Sequence, residues 1–403
     1  MTKGEALIGW LRSPVVLVTA GVFIHFTCWK LMTPLLPLWA GRLGATPLVV
    51  GALFTGYAAA DLACSPVLGA LSDRLGRKPV IVVSLALSAT AFAMTALAQS
   101  LVMLLAAQII SGLGAPIVSV AQAMIADRVD PGRLARAMAY FLVAIGIANV
   151  VGPALGAALS TLGPTVPFWV AAVLASGAMA MMWALLPETR RSTSTASTAS
   201  PAVGWRELLQ SKWIHRLAVT ALIFGCVMVT LDTVLVLFTH RTLGWAEAPN
   251  GWLFAYLGVV VVVMQFGVVG RCVTRFGEQH VLLGGLAAAA LGLAVLSIGA
   301  TAALVVGGVG LVGVGIGLIA PLLPTLFCFA TTAESYGAAL GFMQGVIALA
   351  RLISPLLATA AFTWSIGSPF IIVALLCLLG ICLLTVGKMP AIDAGGAAGV
   401  QSR

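Results

Sequence analysis

The chain is 403 residues long, 61% hydrophobic and 8% charged, with a formal net charge of +9. That much apolar surface exceeds what a soluble domain can bury, so the composition is that of a polytopic helical membrane protein. The cationic excess does not point to nucleic acid, because no aromatic-basic surface pattern accompanies it; retention of Lys and Arg in short cytoplasmic loops accounts for it.

Twelve apolar runs are long enough to cross a bilayer as helices. They lie roughly at 14–38, 49–71, 79–98, 101–124, 136–160, 166–187, 216–238, 252–270, 280–299, 302–325, 337–361 and 368–387. The first continues past Pro34 to Trp39 without a small-residue cleavage site, so no cleavable signal peptide is expected. The one long polar interruption, Glu188 to Trp213, contains RRSTSTASTASPAVG and reads as a flexible linker. It divides the chain into a six-helix unit at 1–187, a cytoplasmic linker at 188–213 and a second six-helix unit with a short tail at 214–403. The seven cysteines fall in apolar runs or short inner loops without metal spacing and read as reduced packing residues. With both termini placed in the cytoplasm, seventeen of the 21 Lys and Arg fall on that side, an asymmetry that fixes the expected orientation.

Between spans two and three runs GALSDRLGRKPV, 69–80. Gly69 and Gly76 let two helices end and approach, Asp73 can accept from an Arg or a helix N-terminus, and Arg74, Arg77 and Lys78 hold the loop on the cytoplasmic side. This G-x-L-x-D-R-x-G-R-K pattern resembles the signature loop of the major facilitator superfamily, with no position missing. The resemblance implies two pseudo-symmetric six-helix bundles around a midplane cavity, rocking to expose it alternately, with the loop as a conformational latch. An internal repeat agrees: Gly69, Arg74 and Gly76 recur as Gly270, Arg275 and Gly277 at an offset of 201, and Pro153 recurs as Pro355 at 202.

Charges inside hydrocarbon are expensive and mark candidate function. Five ionisable residues lie within spans: His25, Lys30 and Asp61 in the first half, Asp232 and Arg351 in the second. His25 and Asp61 both fall about 15–16 Å from the inner ends of their helices. Together they read either as a proton-holding pair or as a structural hydrogen bond. At the repeat offset Asp232 maps onto position 31, so Lys30 and Asp232 occupy nearly equivalent places on the first helix of each half. In the superfamily these helices line the cavity, which implies that the two residues face each other across it. Arg351, on span eleven at nearly the depth of Asp232, is a rival partner, and its repeat equivalent is Asn149.

Span five carries Gly146, Gly152, Pro153 and Gly156, small residues for close packing and a proline that bends the helix. The pattern resembles the fifth-helix motif of proton-coupled exporters, with Ala157 in place of the usual second glycine of its ending. Overall the chain is most similar to the tetracycline and multidrug antiporter branch, with three departures. Gln108 stands where those exporters carry a buried Arg, His25 stands where tetracycline exporters carry an Asp, and spans three and nine lack their acids. Together with Lys30, these departures put tetracycline itself in doubt.

The expected function is proton-coupled efflux of small molecules, drug or metabolite, from a bacterial inner membrane, by a monomer. His25, Asp61 and Asp232 are the expected proton carriers, and Lys30, Gln108, Asn149 and Arg351 the cavity residues. An exporter of anionic or zwitterionic metabolites, a siderophore or metallophore among them, and an uptake symporter are the alternatives; a non-transporting sensor fits least. Neither a cofactor nor a resident metal is expected, and no catalytic triad or metal-ligand spacing marks an enzyme.

Overall fold

The computed structural model describes residues 13–187, 211–331 and 335–386. The expected linker, apart from residues 211–213, and both termini lie outside these. Twelve helices long and apolar enough to cross a membrane are present among the described residues. They are α1 (Pro14–Met32), α2 (Pro47–Leu75), α3 (Arg77–Leu97), α4 (Leu101–Arg128), α5 (Pro131–Ser160), α6 (Val166–Leu185), α7 (Lys212–Leu243), α8 (Glu247–Phe276), α9 (Glu278–Ile298), α10 (Ala302–Phe329), α11 (Tyr336–Trp364) and α12 (Ser368–Thr385). Span number and order match the hydropathy reading.

The first span is shorter than expected. Pro34 offers no N–H to continue the ladder, so α1 ends at Met32 and the chain resumes as a short helix, Leu36–Arg42. A second break interrupts α4 at Ala115 and Pro116. Two corners recur between the halves. Gly76, at φ +99°, joins α2 to α3, and Gly277, at φ +78°, joins α8 to α9. Each takes a backbone conformation that costs a side-chain-bearing residue but not glycine. The repeat seen in the sequence is therefore a repeated turn.

The halves differ inside. In the second, one continuous apolar core runs through α7 to α12 and even takes in Leu38 from the first half. The first half has two smaller cores. One, near the loop end, includes Val18, Val22, Leu85, Ile117 and Met182; the other includes Cys28, Leu31, Phe92, Leu104 and Phe168. Between them on α1, α3 and α4 lie the buried polar residues His25, Ser88, Gln108 and Ser111.

The halves meet along two symmetry-related seams, α5 on α8 and α2 on α11. Gly251 of α8 sits against Ala157 of α5, and Gly51 of α2 sits against Pro355 and Thr359 of α11. Ala157 and Thr359 differ by 202 positions and Gly51 and Gly251 by 200, so the closest contacts obey the repeat. The oxygen of Thr55 also donates to the carbonyl of Leu352, at 3.1 Å. These contacts crowd toward the end opposite the 73–78 loop. Toward the loop end, Gly69, Gly270, Gly341 and Gly345 have open space where a side chain would stand. The halves are thus closed at the far end and parted at the basic end.

Candidate functional site

The site is built on the two first helices of the repeat. Lys30 lies in the last turn of α1 and Asp232 near the middle of α7. Lys30 Nζ stands 3.4 Å from both carboxylate oxygens of Asp232. Their side chains are 10% and 18% exposed. Arg351, the rival partner, forms no ion pair among the described residues; it lines the same cavity wall. The pair therefore bridges the halves at mid-depth.

Two local features position it. Gly152 and Gly156 lay α5 directly on α1, against the backbone of Thr27 and Leu31, which fixes the turn bearing Lys30. Asp232 occupies a single π-helical turn, Leu231–Leu235, inside α7. A second π turn, Met264–Val268, interrupts α8 and brings Gln265 to the cavity wall. Such turns insert one residue into an α-helix and recur at functional sites. Hydropathy carries no trace of them.

The cavity has two chambers, of about 240 and 150 Å³. Lys30, Asn149, Met228 and Asp232 line both, so the ion pair forms part of the partition. The smaller chamber is mostly apolar and lies toward α8 and α10, with Phe254, Leu257 and Ile316. The larger holds Phe26, Trp29, Phe54, Tyr57 and Arg351. Trp29 stacks on Tyr57 with ring centroids 5.7 Å apart at 23°, and Lys30 Nζ lies 4.6 Å from the Trp29 ring centre. This aromatic wall was missed by sequence reasoning. Its one available signal was Trp29 beside an intramembrane Lys.

The other predicted residues are spread more widely. His25 is 4% exposed, and its Nδ1 has no hydrogen-bond partner. Asp61 instead accepts from Ser65, at 2.9 Å, and interacts through space with Arg351. The structure forms no His25–Asp61 hydrogen bond: similar depth did not bring the side chains together. Gln108 is 2% exposed and lines neither chamber. Asn149 donates to the carbonyl of Ile145 and lines both chambers. Pro153 borders the smaller chamber, while Gly146 faces Val262 and Phe266 of α8.

In the loop after α2, Arg77 binds Asp73 at 2.8 Å, Asp127 at 3.2 Å and Ser72 at 2.6 Å. Asp73 itself is 62% exposed, and Gly69 has open space around it. Arg74 and Lys78 flank this cluster at the end of α2 and the start of α3. At the far end, Arg42 joins Glu247 at 2.5 Å, a second ion pair between the halves.

Among curated proteins, the chain is 27% identical over 344 residues to the class C tetracycline resistance protein of Escherichia coli, covering 83% of this chain and 85% of that protein. It is 28% identical over 364 residues to the class G tetracycline resistance protein of Vibrio anguillarum, covering 89% and 92%. Among solved structures, the human organic anion transporter MFSD10 (TETRAN) superposes with a TM-score of 0.66 at 22% identity, covering 92% of this chain and 98% of that one. The nucleoside transporter NupG superposes with a TM-score of 0.72 at 11% identity, covering 93% and 98%. These superpositions carry the fold. The Major Facilitator Superfamily model matches residues 18–328 and 241–398, so, with its twelve helices and repeated corners, this chain belongs to the Major Facilitator Superfamily of transporters.

Proposed function

We propose that this transporter works as a proton-coupled exporter of small molecules in a bacterial inner membrane, with its termini and the 188–213 linker in the cytoplasm. The units at 1–187 and 214–403 rock about the chambered cavity as a monomer, and the closed far end with the open basic end supports an inward-open reading. The observation that carries this reading is the Lys30–Asp232 pair, a buried charge bridge between the two moving bodies inside the cavity. A cationic group that takes Asp232 from Lys30 competes with a proton for the same carboxylate, which is the requirement for exchange. Relatives named for tetracycline resistance lend support to outward movement of a small molecule. The exposed Asp73 fits a latch that is released in this form and engaged in the outward-open one.

Inverted membrane vesicles, acidified inside and monitored with a pH-sensitive dye, test the reading. Addition of a transported compound is expected to release protons from the lumen, and Asp232→Asn is expected to abolish the release while the protein remains in the membrane. Compound and protons moving in the same direction would instead make this an uptake symporter. That second reading draws on one observation: Lys30 and Arg351 give the larger chamber two cations against one acid.

A further inference from the structure

The Lys30–Asp232 pair constrains what can occupy the cavity, because any occupant that joins the two chambers must part it. Both members are largely buried, and removing the partner of a buried charge is far more costly than forming the pair is favourable. An occupant carrying only a cation that takes Asp232 strands Lys30 in a chamber that already holds Arg351. One carrying only an anion that takes Lys30 strands Asp232 unless the carboxylate takes up a proton. That species then travels with a proton rather than against it.

One charge pattern avoids both penalties. If the substrate brings a protonated amine and an acid group together, the amine takes Asp232 while the acid takes Lys30, with Arg351 in the same chamber. Every buried charge then keeps a partner. The Lys30–Asp232 distances of 3.4 Å are longer than the 2.7–2.9 Å of tight charge-assisted contacts, so the pair is open to exchange. Taken together, the chambers of 240 and 150 Å³ fall at the low end of the roughly 300–1,000 Å³ of drug-sized sites, room for a compact occupant. The Trp29–Tyr57 stack, with Phe26 and Phe54 in the same wall, offers a flat apolar face to a ring.

From this, and resting on the proton-exchange reading above, we infer that the substrate is a compact aromatic zwitterion, which swaps partners with Lys30 and Asp232 as it enters. Asp232 receives the amine and later the proton. Lys30 holds the acid with Arg351 beside it, the wall of Phe26, Phe54 and Tyr57 takes the ring, and the Trp29 face steadies Lys30 during release.

The test uses the full chain in liposomes and a matched set of radiolabelled compounds: tryptophan, its methyl ester as the cation and N-acetyltryptophan as the anion. It is run at about pH 6, below the usual α-amino range. Tryptophan is expected to leave the lumen as protons enter, faster when a potassium diffusion potential makes the lumen negative, since a zwitterion exchanged for one proton moves one net charge. Transport of the ester alone, indifferent to voltage, would overturn the inference and leave proton exchange standing. Movement of N-acetyltryptophan together with protons would overturn both. If none of the three moves while other compounds still release protons from vesicles, the inference alone fails. Lys30→Gln supplies an independent arm: with no second charge to strand, tryptophan transport is expected to fall roughly a hundredfold and ester transport to rise. An unchanged preference in that variant would also overturn the inference.

Discussion

A methyl group added at Gly152 would stand 2.7 Å from the carbonyl oxygen of Thr27 and 2.8 Å from the Cβ of Lys30. Helix α5 thus rests directly on the turn of α1 that supplies the cavity cation. Gly152→Ala is expected to push the helices apart at a cost of about 1–3 kcal/mol, and to displace Lys30 from Asp232. The check is a fluorescence-monitored melting curve beside a transport assay; Gly146→Ala, which meets Val262 and Phe266 only at 3.7–3.8 Å, is the control expected to leave both nearly unchanged.

At the far end, Arg42 and Glu247 tie the halves together in this form. The Arg42 side chain is 49% exposed, so the pair adds little to overall stability. Its effect falls on the balance between access states. Glu247→Gln is expected to raise the far-side-open population about two- to fivefold, the range that roughly 0.4–1 kcal/mol allows. Labelling of a cysteine placed at Leu38, 7% exposed here, by an impermeant reagent in a background free of other cysteines measures it.

The loop after α2 separates structure from switching. Arg77 is 11% exposed and gathers Asp73, Asp127 and Ser72, so Arg77→Ala removes the largely buried cation that joins the end of α2 to α4. A loss of about 1–3 kcal/mol in stability is expected. Asp73→Asn removes an exposed carboxylate and is expected to leave melting within ~0.5 kcal/mol of the parent, while slowing transport if the proposed latch operates. Equal losses of stability in the two variants would contradict this division.

His25 makes a sharper prediction, because it is buried with Nδ1 unsatisfied. Removing a polar group that lacks a partner and replacing it with an apolar one of similar size costs little. His25→Leu is expected to melt within ~1 kcal/mol of the parent. If His25 holds a proton in the cycle, the variant loses coupled transport but keeps counterflow of substrate. Normal coupled transport would remove His25 from the cycle.

How far the sequence foretold this depends on the kind of information. Span count and order follow from hydropathy because lipid demands long apolar helices, whereas Lys30 with Asp232 was only half legible: the internal repeat places them at matching positions, but depth left Arg351 as a rival partner. His25 and Asp61 failed as a pair because rise along a helix gives depth but not azimuth. The aromatic wall, Arg42 with Glu247, and the buried setting of Gln108 also depend on azimuth or loop path. Asp232 owes its exact direction to a π turn, whose extra residue shifts helical phase without changing composition. Pro34 is the opposite case: its local chemistry ended α1 where the apolar pattern ran on.

The division of the first half's interior has a mechanical meaning. A body filled by one undivided core turns as a solid block, since close-packed side chains transmit strain rather than absorb it. In the first half the apolar core gives way at mid-depth to the buried polar layer of His25, Ser88, Gln108 and Ser111, so its two ends are joined through close-packed polar side chains rather than one shared apolar core. Lys30 sits just to the far side of that polar layer, between Cys28 and Leu31 of the far-end core, so the charge bridge to Asp232 is anchored in that core and not in the one near the loop.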